Sequence, residues 1–320
     1  MSAVRLTIGI TTRNRPAALE RCLRSMALVA HLSPEVLVFD DASLPPVADR
    51  LTEWNLAVPL RVVRDNRGPG NIVGRNRLVR EASAPLVLLM DDDAALFGSE
   101  PIERAMRLAD ADPRLGAVAF AQCSLGGERW DDAMQPSRAR TPGYVPAFIG
   151  FAHLLRRDTF IAVGGYRESF EFYGEEKDFC LRLIDAGYRT LYLPDALVIH
   201  EPDPAGRDKR RYLRYVTRND SLTALYNEPL GRLAWLLPAR LALYFRMRRA
   251  WGIDDPWGWA WILRELWKQA GDVFSARKPV SRETVATWKR LRTAPEAYPP
   301  PVGPDARGAS REPRAASPEP

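Results

Sequence analysis

Short apolar runs alternate with amphipathic segments along the first two thirds of the chain. Leucine, cysteine and methionine recur at helical spacing after Pro16, and a second helix is predicted over residues 72–82. The apolar runs predict strands at residues 4–10, 35–39, 60–64, 85–90 and 190–199. This alternation predicts an α/β fold, with a Rossmann-like, mostly parallel sheet that carries helices on both faces.

Polar side chains follow the first four predicted strands at the point where each strand ends. They are Thr11-Thr12-Arg13-Asn14, Asp40-Asp41-Ala42-Ser43, Asn66-Arg67-Gly68-Pro69-Gly70 and Asp91-Asp92-Asp93. Ligands of open α/β sheets bind outside the carboxyl ends of the strands. The sequence therefore predicts a binding site at this edge of the sheet.

The three adjacent aspartates directly follow a strand that is apolar throughout. Asp91 and Asp93 are expected on the same side, because alternate residues of an extended segment point the same way. Two such carboxylates suit a hard divalent cation, Mg²⁺ or Mn²⁺, that also binds substrate phosphate oxygens. A solvated acidic turn is the alternative interpretation.

A second acidic cluster occupies residues 174–178, after an aromatic stretch and before a predicted helix that Gly187 ends. Acidic residues in a first helical turn have a structural explanation in the helix dipole. The functional interpretation is a partly desolvated carboxylate with a raised pKa, which acts as a general base. We expect this cluster and the three aspartates to converge in one cleft.

Several other kinds of site are disfavoured. Gly68, Gly70 and Gly74 depart from the dinucleotide fingerprint in spacing and follow the third strand, and the chain has no P-loop motif. Only three histidines are present, and no serine–histidine–aspartate set is indicated. Neither a nicotinamide site nor an ATP-binding loop nor a covalent hydrolase is therefore predicted.

Charge and tryptophan content divide the chain into three parts. Residues 205–293 hold 19 Lys and Arg against 8 Asp and Glu, a net +11, although the whole chain carries only +6. The same stretch contains 7 of the 9 tryptophans. We predict a catalytic domain over residues 1–204, a basic helical extension over 205–293 and a disordered, proline-rich tail over 294–320.

The basic extension suggests a membrane surface as a partner. Amphipathic helices with tryptophan and arginine lie flat at lipid headgroups, and anionic lipid attracts such segments. A helical cap packed on the catalytic domain is the alternative, and no nucleic-acid partner is predicted because no recognised module is present. Three widely spaced cysteines, no visible signal peptide and no membrane-spanning run predict a cytoplasmic protein at the inner face of the cell membrane.

Six motifs occur in a characteristic order. They are residues 11–14, residues 40–43, the Gly-rich turn with Gly74-Arg75-Asn76, Asp91-Asp92-Asp93, Gly164-Gly165-Tyr166 and Gly174-Glu175-Glu176-Lys177-Asp178. In order and spacing, residues 4–201 resemble family 2 glycosyltransferases of the GT-A fold, especially bacterial rhamnosyltransferase-like members. The resemblance implies a nucleotide-sugar donor, a divalent metal, a saccharide or lipid-linked acceptor and inversion at the anomeric carbon.

The resemblance also implies roles for individual residues. Donor contacts fall on five residues, namely Thr11, Arg13, Asp41, Arg75 and Asp92. Asp91 and Asp93 match the DxD motif, with Asp93 as the direct metal ligand, and His200 matches a position that supplies a metal or pyrophosphate ligand in some members. Glu176 occupies the position of the catalytic base, where the family usually has aspartate, so Glu175 is the alternative base.

Two other functions share parts of this pattern. A sugar nucleotidyltransferase would have the same fold class and metal, but it should carry a Gly-rich, basic loop directly after the first strand. A non-catalytic carbohydrate-binding or scaffold protein would keep the sheet without needing either acidic cluster. The sequence favours the glycosyltransferase, with a role in cell-surface polysaccharide or glycolipid synthesis.

Overall fold

The computed structural model describes residues 4–202 and 208–299, which fold around one ten-stranded sheet. The strands are β1 (Leu6–Thr12), β2 (Glu35–Asp40), β3 (Leu60–Arg64), β4 (Leu86–Asp91), β5 (Ala94–Leu96), β6 (Leu115–Cys123), β7 (Gly143–Val145), β8 (Ala152–Arg156), β9 (Arg189–His200) and β10 (Glu296–Ala297). The five predicted strands are confirmed as β1 to β4 and β9, with ends that differ by one or two residues.

Eleven α-helices surround the sheet within the described ranges. They are α1 (Pro16–Ser25), α2 (Leu51–Trp54), α3 (Asn71–Glu81), α4 (Glu100–Ala111), α5 (Arg157–Ala162), α6 (Glu175–Asp185), α7 (Lys209–Asn227), α8 (Leu230–Ala250), α9 (Gly258–Lys268), α10 (Ala270–Ala276) and α11 (Arg282–Thr293). The predicted helices after Pro16, over residues 72–82 and before Gly187 correspond to α1, α3 and α6.

The strand order is β10-β7-β9-β6-β8-β4-β1-β2-β3, and β5 pairs with β9. Strands β3, β2, β1 and β4 are mutually parallel, as the sequence predicted. Strand β8 lies antiparallel between β4 and β6, and β7 lies antiparallel to β9. The sheet is therefore mixed, and its longest parallel stretch consists of the four strands nearest the N-terminus.

Two hydrophobic layers cover the two faces of the sheet. Alternate residues of β4 divide between them: Leu88 packs with α1 and α4 on one face, whereas Leu89 packs with α3 and α6 on the other. This is the period-two alternation of a strand buried on both sides. Helices on both faces are thus confirmed.

Two glycines let α3 approach the sheet closely. A Cβ on Gly74 would lie 2.4 Å from the Phe39 ring, and a Cβ on Gly9 would lie 3.3 Å from Leu78 of α3. The first distance is shorter than side-chain packing allows, so position 74 requires glycine, and the second is tighter than an ordinary side-chain contact. The close approach brings Arg75, the residue after Gly74, to the carboxyl ends of β1 and β4.

The C-terminal helices pack on the sheet domain. Leu222 and Tyr226 of α7 share a hydrophobic cluster with Phe179 of α6. Strand β10 belongs to the predicted tail over residues 294–320 and pairs with β7. Residues 300–320 of that tail lie outside the described residues. Among the described residues, no helix is long and apolar enough to cross a membrane.

Candidate active site

The first feature of the site is a group of three potential metal ligands. Asp91 ends β4, Asp93 follows it, and His200 ends β9. Strand β5 pairs antiparallel with β9 so that Ala94 is opposite His200, which places Asp93 beside the histidine. One ligand atom from each of the three residues lies within 4.8 Å of the others. Two carboxylates and one imidazole at this spacing can hold a divalent cation.

Three neighbouring side chains hold the His200 ring in one orientation. Its Nδ1 hydrogen-bonds to Gln122 Oε1, and its ring stacks between Trp130 and Phe151, with centroids 5.3 and 4.9 Å away. Its Nε2 therefore faces Asp93 Oδ1, at 3.5 Å. An outer partner that fixes the orientation of the imidazole is typical of metal-ligating histidines.

The two oxygens of Asp93 have different surroundings. Oδ2 accepts a hydrogen bond of 2.9 Å from Arg15, whereas Oδ1 is buried and has no hydrogen-bond partner among the described residues. Burial alone would raise the pKa of this carboxyl, but the nearby His200 and Arg15 lower it to about 2. Asp93 is therefore ionised at neutral pH, with one oxygen directed at the ligand group.

Asp92 serves a different purpose from its two neighbours. It accepts hydrogen bonds from Thr12 at 2.7 Å and from Arg15 at 2.6 Å, so both of its oxygens are engaged. Burial raises its pKa to about 7, against the opposing effects of Arg15 and Thr12. This carboxyl ties the end of β4 to the loop after β1, and its predicted contact with the donor stays a prediction.

Arg75 joins the two acidic segments. Its guanidinium, only 3% exposed, donates to Asp91 at 2.5 Å, to Glu175 at 2.7 Å and to the Gly150 carbonyl at 3.0 Å. Burial would lower the pKa of Arg75, but the surrounding carboxylates raise it instead. The acidic segments therefore meet at one place, which confirms the predicted convergence. Protein groups occupy the guanidinium in this structure. Its predicted contact with the donor stays a prediction.

Glu175 and Glu176 begin helix α6 but differ in exposure. Glu175 is buried, and burial, together with the charge of Glu176, raises its pKa to about 8. Glu176 is half-buried, and burial raises its pKa as well. A Cβ on Gly150 would lie 2.4 Å from Glu176 Oε1, so the glycine leaves the space that this carboxylate occupies. Glu175 is thus enclosed together with Arg75, and Glu176 is the carboxylate open to a substrate.

Helix α7 holds the segment before Glu175 in place. The buried Asn219 amide donates to the carbonyls of Phe170, Phe172 and Tyr173 at 2.6–3.0 Å. Asn227, also on α7, donates to Asp178 at 2.7 Å. Asp178 therefore has a structural function, unlike the two glutamates that precede it.

The other predicted donor residues lie at the ends of β1 and β2. Thr11 is buried at the end of β1, in register with Asp91. Asp41 accepts a hydrogen bond of 2.9 Å from the Gly70 backbone N–H and lies 3.5 Å from Arg13 Nη1. These residues are placed at the same sheet edge as the acidic site, and their contacts with a donor remain predictions.

Five residues that support the site carried no signal in the sequence analysis. They are Arg15, Gln122, Gly150, Arg218 and Asn219, and each contacts partners distant along the chain. Arg15 directly follows the motif at residues 11–14, which is the one signal that pointed near it. The others become recognisable only through tertiary contacts.

Comparison with known proteins identifies relatives of one kind. The family model described as "Glycosyl transferase family 2" matches residues 7–167. The chain is 26% identical, over 70% of its length and 86% of the relative's, to an N-acetylglucosaminyl-diphospho-decaprenol L-rhamnosyltransferase of Mycobacterium tuberculosis. A pre-mycofactocin glycosyltransferase of the same organism is 27% identical, over 63% of this chain and 44% of that protein.

Two solved structures share the fold of this chain. The mannosyltransferase PcManGT from Pyrobaculum calidifontis, in complex with GDP-Man and Mn²⁺, aligns with a TM-score of 0.55 and 16% identity, over 90% of this chain and 84% of that one. S. aureus TarS 1-349 in complex with UDP-GlcNAc aligns with a TM-score of 0.57 and 14% identity, over 90% and 87%. These likenesses show the GT-A fold, as the sequence predicted.

Proposed function

Because the chain belongs to glycosyl transferase family 2, we propose that it moves a hexosyl group from a nucleotide sugar to an acceptor hydroxyl, with inversion at the anomeric carbon. The observation that carries this proposal is the pair of ion pairs from Arg75 to Asp91 and Glu175, at 2.5 and 2.7 Å. They hold a potential metal site beside a potential base. The family match disfavours the two alternatives, a nucleotidyltransferase and a non-catalytic binding protein.

The donor diphosphate would lie at the aspartate–histidine group. Asp91, Asp93 and His200 would hold Mg²⁺ or Mn²⁺, an ion that neutralises the charge developing on a departing diphosphate. The buried Oδ1 of Asp93, which faces His200 but makes no hydrogen bond among the described residues, and the fixed His200 ring support this assignment. The Mn²⁺ bound with GDP-Man in PcManGT also supports it.

The nucleoside of the donor would bind farther along the same sheet edge. Thr11, Arg13 and Asp41 lie there, and Asp41 orients the Gly70 backbone of the glycine-rich turn. Arg75 would act on the donor only indirectly, because it positions Asp91. Asp92 would likewise position Arg15, whose second guanidinium nitrogen reaches Asp93.

Glu176 would act as the general base. A base must be ionised and must reach the acceptor hydroxyl, and Glu176 is the less buried of the two glutamates. Glu175 is buried, and its carboxylate is occupied by Arg75 at 2.7 Å. The proton leaves the acceptor oxygen for Glu176 as that oxygen attacks the sugar from the face opposite the diphosphate, and a single displacement of this kind inverts the configuration.

We propose a lipid-linked or saccharide acceptor, used in cell-surface polysaccharide or glycolipid synthesis. The M. tuberculosis relative is named for a sugar attached through diphosphate to decaprenol, which supports a lipid-linked acceptor. The proposed location is cytoplasmic, at the inner face of the cell membrane. Exposed aromatic side chains between the end of α8 and the end of α10 support contact with an anionic membrane surface: Trp257 is 70% exposed, Trp267 79% and Phe274 89%.

Substitution of the proposed base tests this function. Glu176→Gln should lower the rate of transfer by about 10²-fold or more, because it removes the proton acceptor and keeps the size of the side chain. Donor binding, measured by the thermal shift with UDP-, GDP- and dTDP-sugars and Mn²⁺, should be unchanged. Glu128→Gln, at an exposed glutamate, is the matched control. Full activity in Glu176→Gln would contradict the assignment of the base.

A further inference from the structure

A cavity of about 540 Å³ lies between helices α6, α7, α8 and α11, apart from the aspartate–histidine group. We call it the basic cavity, because six cationic side chains line it. They are Lys177, Arg232, Arg240, Arg246, Lys289 and Arg292. Only two acidic side chains, Asp220 and Glu228, line the same space. The described lining therefore has four more positive than negative groups.

The two acids are already paired with cations. Asp220 pairs with Lys177 and lies 3.5 Å from Arg240, and Glu228 pairs with Arg232 at 2.8 Å. In contrast, three cations of the cavity have no ion pair within residues 4–202 and 208–299. They are Arg246, Lys289 and Arg292. Burial lowers the pKa of Lys177, and the charges of Arg240 and Arg292 lower it further.

The side chains of Arg246, Lys289 and Arg292 are exposed, so water screens their charges, but a concentration of like charge still favours the binding of an anion. An anion with several oxygens would relieve the repulsion and accept hydrogen bonds from more than one guanidinium. Phosphate and diphosphate groups have this chemistry. The charge of the lining therefore indicates a phosphoryl ligand.

The rest of the lining is apolar. Leu236, Leu243 and Trp288 form part of the wall, together with Trp235, which is 55% exposed. An inorganic anion would gain nothing from these side chains, whereas an amphiphile would bury its chain against them. The combination of cations and exposed tryptophan fits a phosphorylated lipid.

The basic cavity lies along the helix that carries the proposed base. Lys177 directly follows Glu176 in the first turn of α6, and Leu181 of the same helix lines the cavity one turn later. The cavity and the proposed base therefore share helix α6, with Lys177 and Glu176 in its first turn.

We propose that the basic cavity binds the phosphate or diphosphate of an amphiphilic acceptor, with the apolar chain directed along Trp235. This inference rests on the proposed glycosyl transfer and assigns the acceptor a site of its own. Lys289 and Arg292 of α11 are the phosphoryl-binding cations that the protein itself leaves unpaired. The aromatic surface of α8 to α10 would bring the cavity to the membrane that holds such an acceptor.

Titration calorimetry of the full chain with farnesyl diphosphate tests the proposal. A double variant, Lys289→Gln with Arg292→Gln, should weaken its binding by about tenfold or more, which corresponds to about 1.4 kcal/mol. The matched control is Arg282→Gln with Arg290→Gln, two exposed cations of the same helix that do not line the cavity. The control should bind as the unaltered protein does, and thermal unfolding should be similar for all three proteins.

Two further titrants separate the sources of the phosphoryl group. Inorganic diphosphate should bind more weakly than farnesyl diphosphate, and Trp235→Ala should reduce this difference. Equal binding of the two titrants would overturn the amphiphilic ligand, and unchanged binding of farnesyl diphosphate by the cavity variant would overturn the site. Binding of nucleotide sugars is measured in parallel. If the unaltered protein bound no nucleotide sugar, the proposed function would be refuted. If the cavity variant still binds the nucleotide sugar, its weaker binding of farnesyl diphosphate is confined to the acceptor site.

Discussion

Replacement of Arg75 by methionine removes the group that holds the two acidic segments together. The guanidinium is buried and bonds to Asp91, Glu175 and the Gly150 carbonyl. Methionine has a similar length but no donor, so it would leave Glu175 buried without a partner. Arg75→Lys is the companion variant, because it keeps the charge but lacks the planar fork that reaches several acceptors at once.

The expected cost follows from the burial of the ion pair. Removing one partner of a buried pair typically costs about 3–5 kcal/mol. We expect the lower end, about 3 kcal/mol, because Glu175 can stay protonated once its partner is lost. Arg75→Lys should cost less, since a positive charge still faces the carboxyls.

The loss of stability in Arg75→Met should also depend on pH. In the folded protein the pKa of Glu175 is about 8, above its ordinary value of 4.5, so the folded state holds this proton more tightly than the unfolded chain does. The free energy of unfolding therefore falls as the pH rises from 4.5 toward about 8. Without Arg75 the pKa rises further, so the loss of stability should be larger at about pH 9.5, where Glu175 of the unaltered protein is ionised, than at about pH 5.5.

Urea unfolding followed by tryptophan fluorescence measures this free energy at both pH values. The reasoning would be refuted if the free energy of unfolding of Arg75→Met were within about 1 kcal/mol of that of the unaltered protein at about pH 9.5. It would also be refuted if the deficit were the same at pH 5.5. In either case, Arg75 would not be the group that joins the acidic segments.

Two more substitutions probe the metal group and the packing of α3. Asp93→Ala should abolish the Mn²⁺-dependent part of the thermal shift with a nucleotide sugar, because it removes a ligand; an undiminished shift would exclude Asp93 from the metal site. Gly74→Ala should lower the free energy of unfolding by about 1–3 kcal/mol, because the new methyl group overlaps the Phe39 ring. An unchanged free energy of unfolding in urea would show that α3 can move away from the sheet. The control is Val73→Ala, at a half-buried neighbour on the same helix.

The strands nearest the N-terminus were predictable because both faces of the sheet are covered there. Burial on both sides requires nearly continuous apolar runs, such as β4, and these are visible in the sequence. The antiparallel strands β7 and β8 are short, with three and five residues, and give a weaker pattern. The mixed character of the sheet therefore emerged only from the structure.

The acidic residues of the site were recognised for a related reason. Asp91 and Asp93 follow an apolar strand, where charge is expensive unless it binds something, so their position alone is informative. Arg15 and Gln122 carry no such signal, because polar residues of their kind are common in loops and strands. Their importance depends on the partners that the fold brings to them.

The α/β class, the edge of the sheet where the polar motifs meet and the residues that resemble those of the family could all be predicted from the sequence. These properties follow from local periodicity and from the order of motifs along the chain. The tertiary structure alone decided that Arg75 bridges Asp91 to Glu175, and that α7 supports the loop before the base. Such contacts join residues 16 to 100 positions apart, and local propensity contains no information about which distant side chains meet.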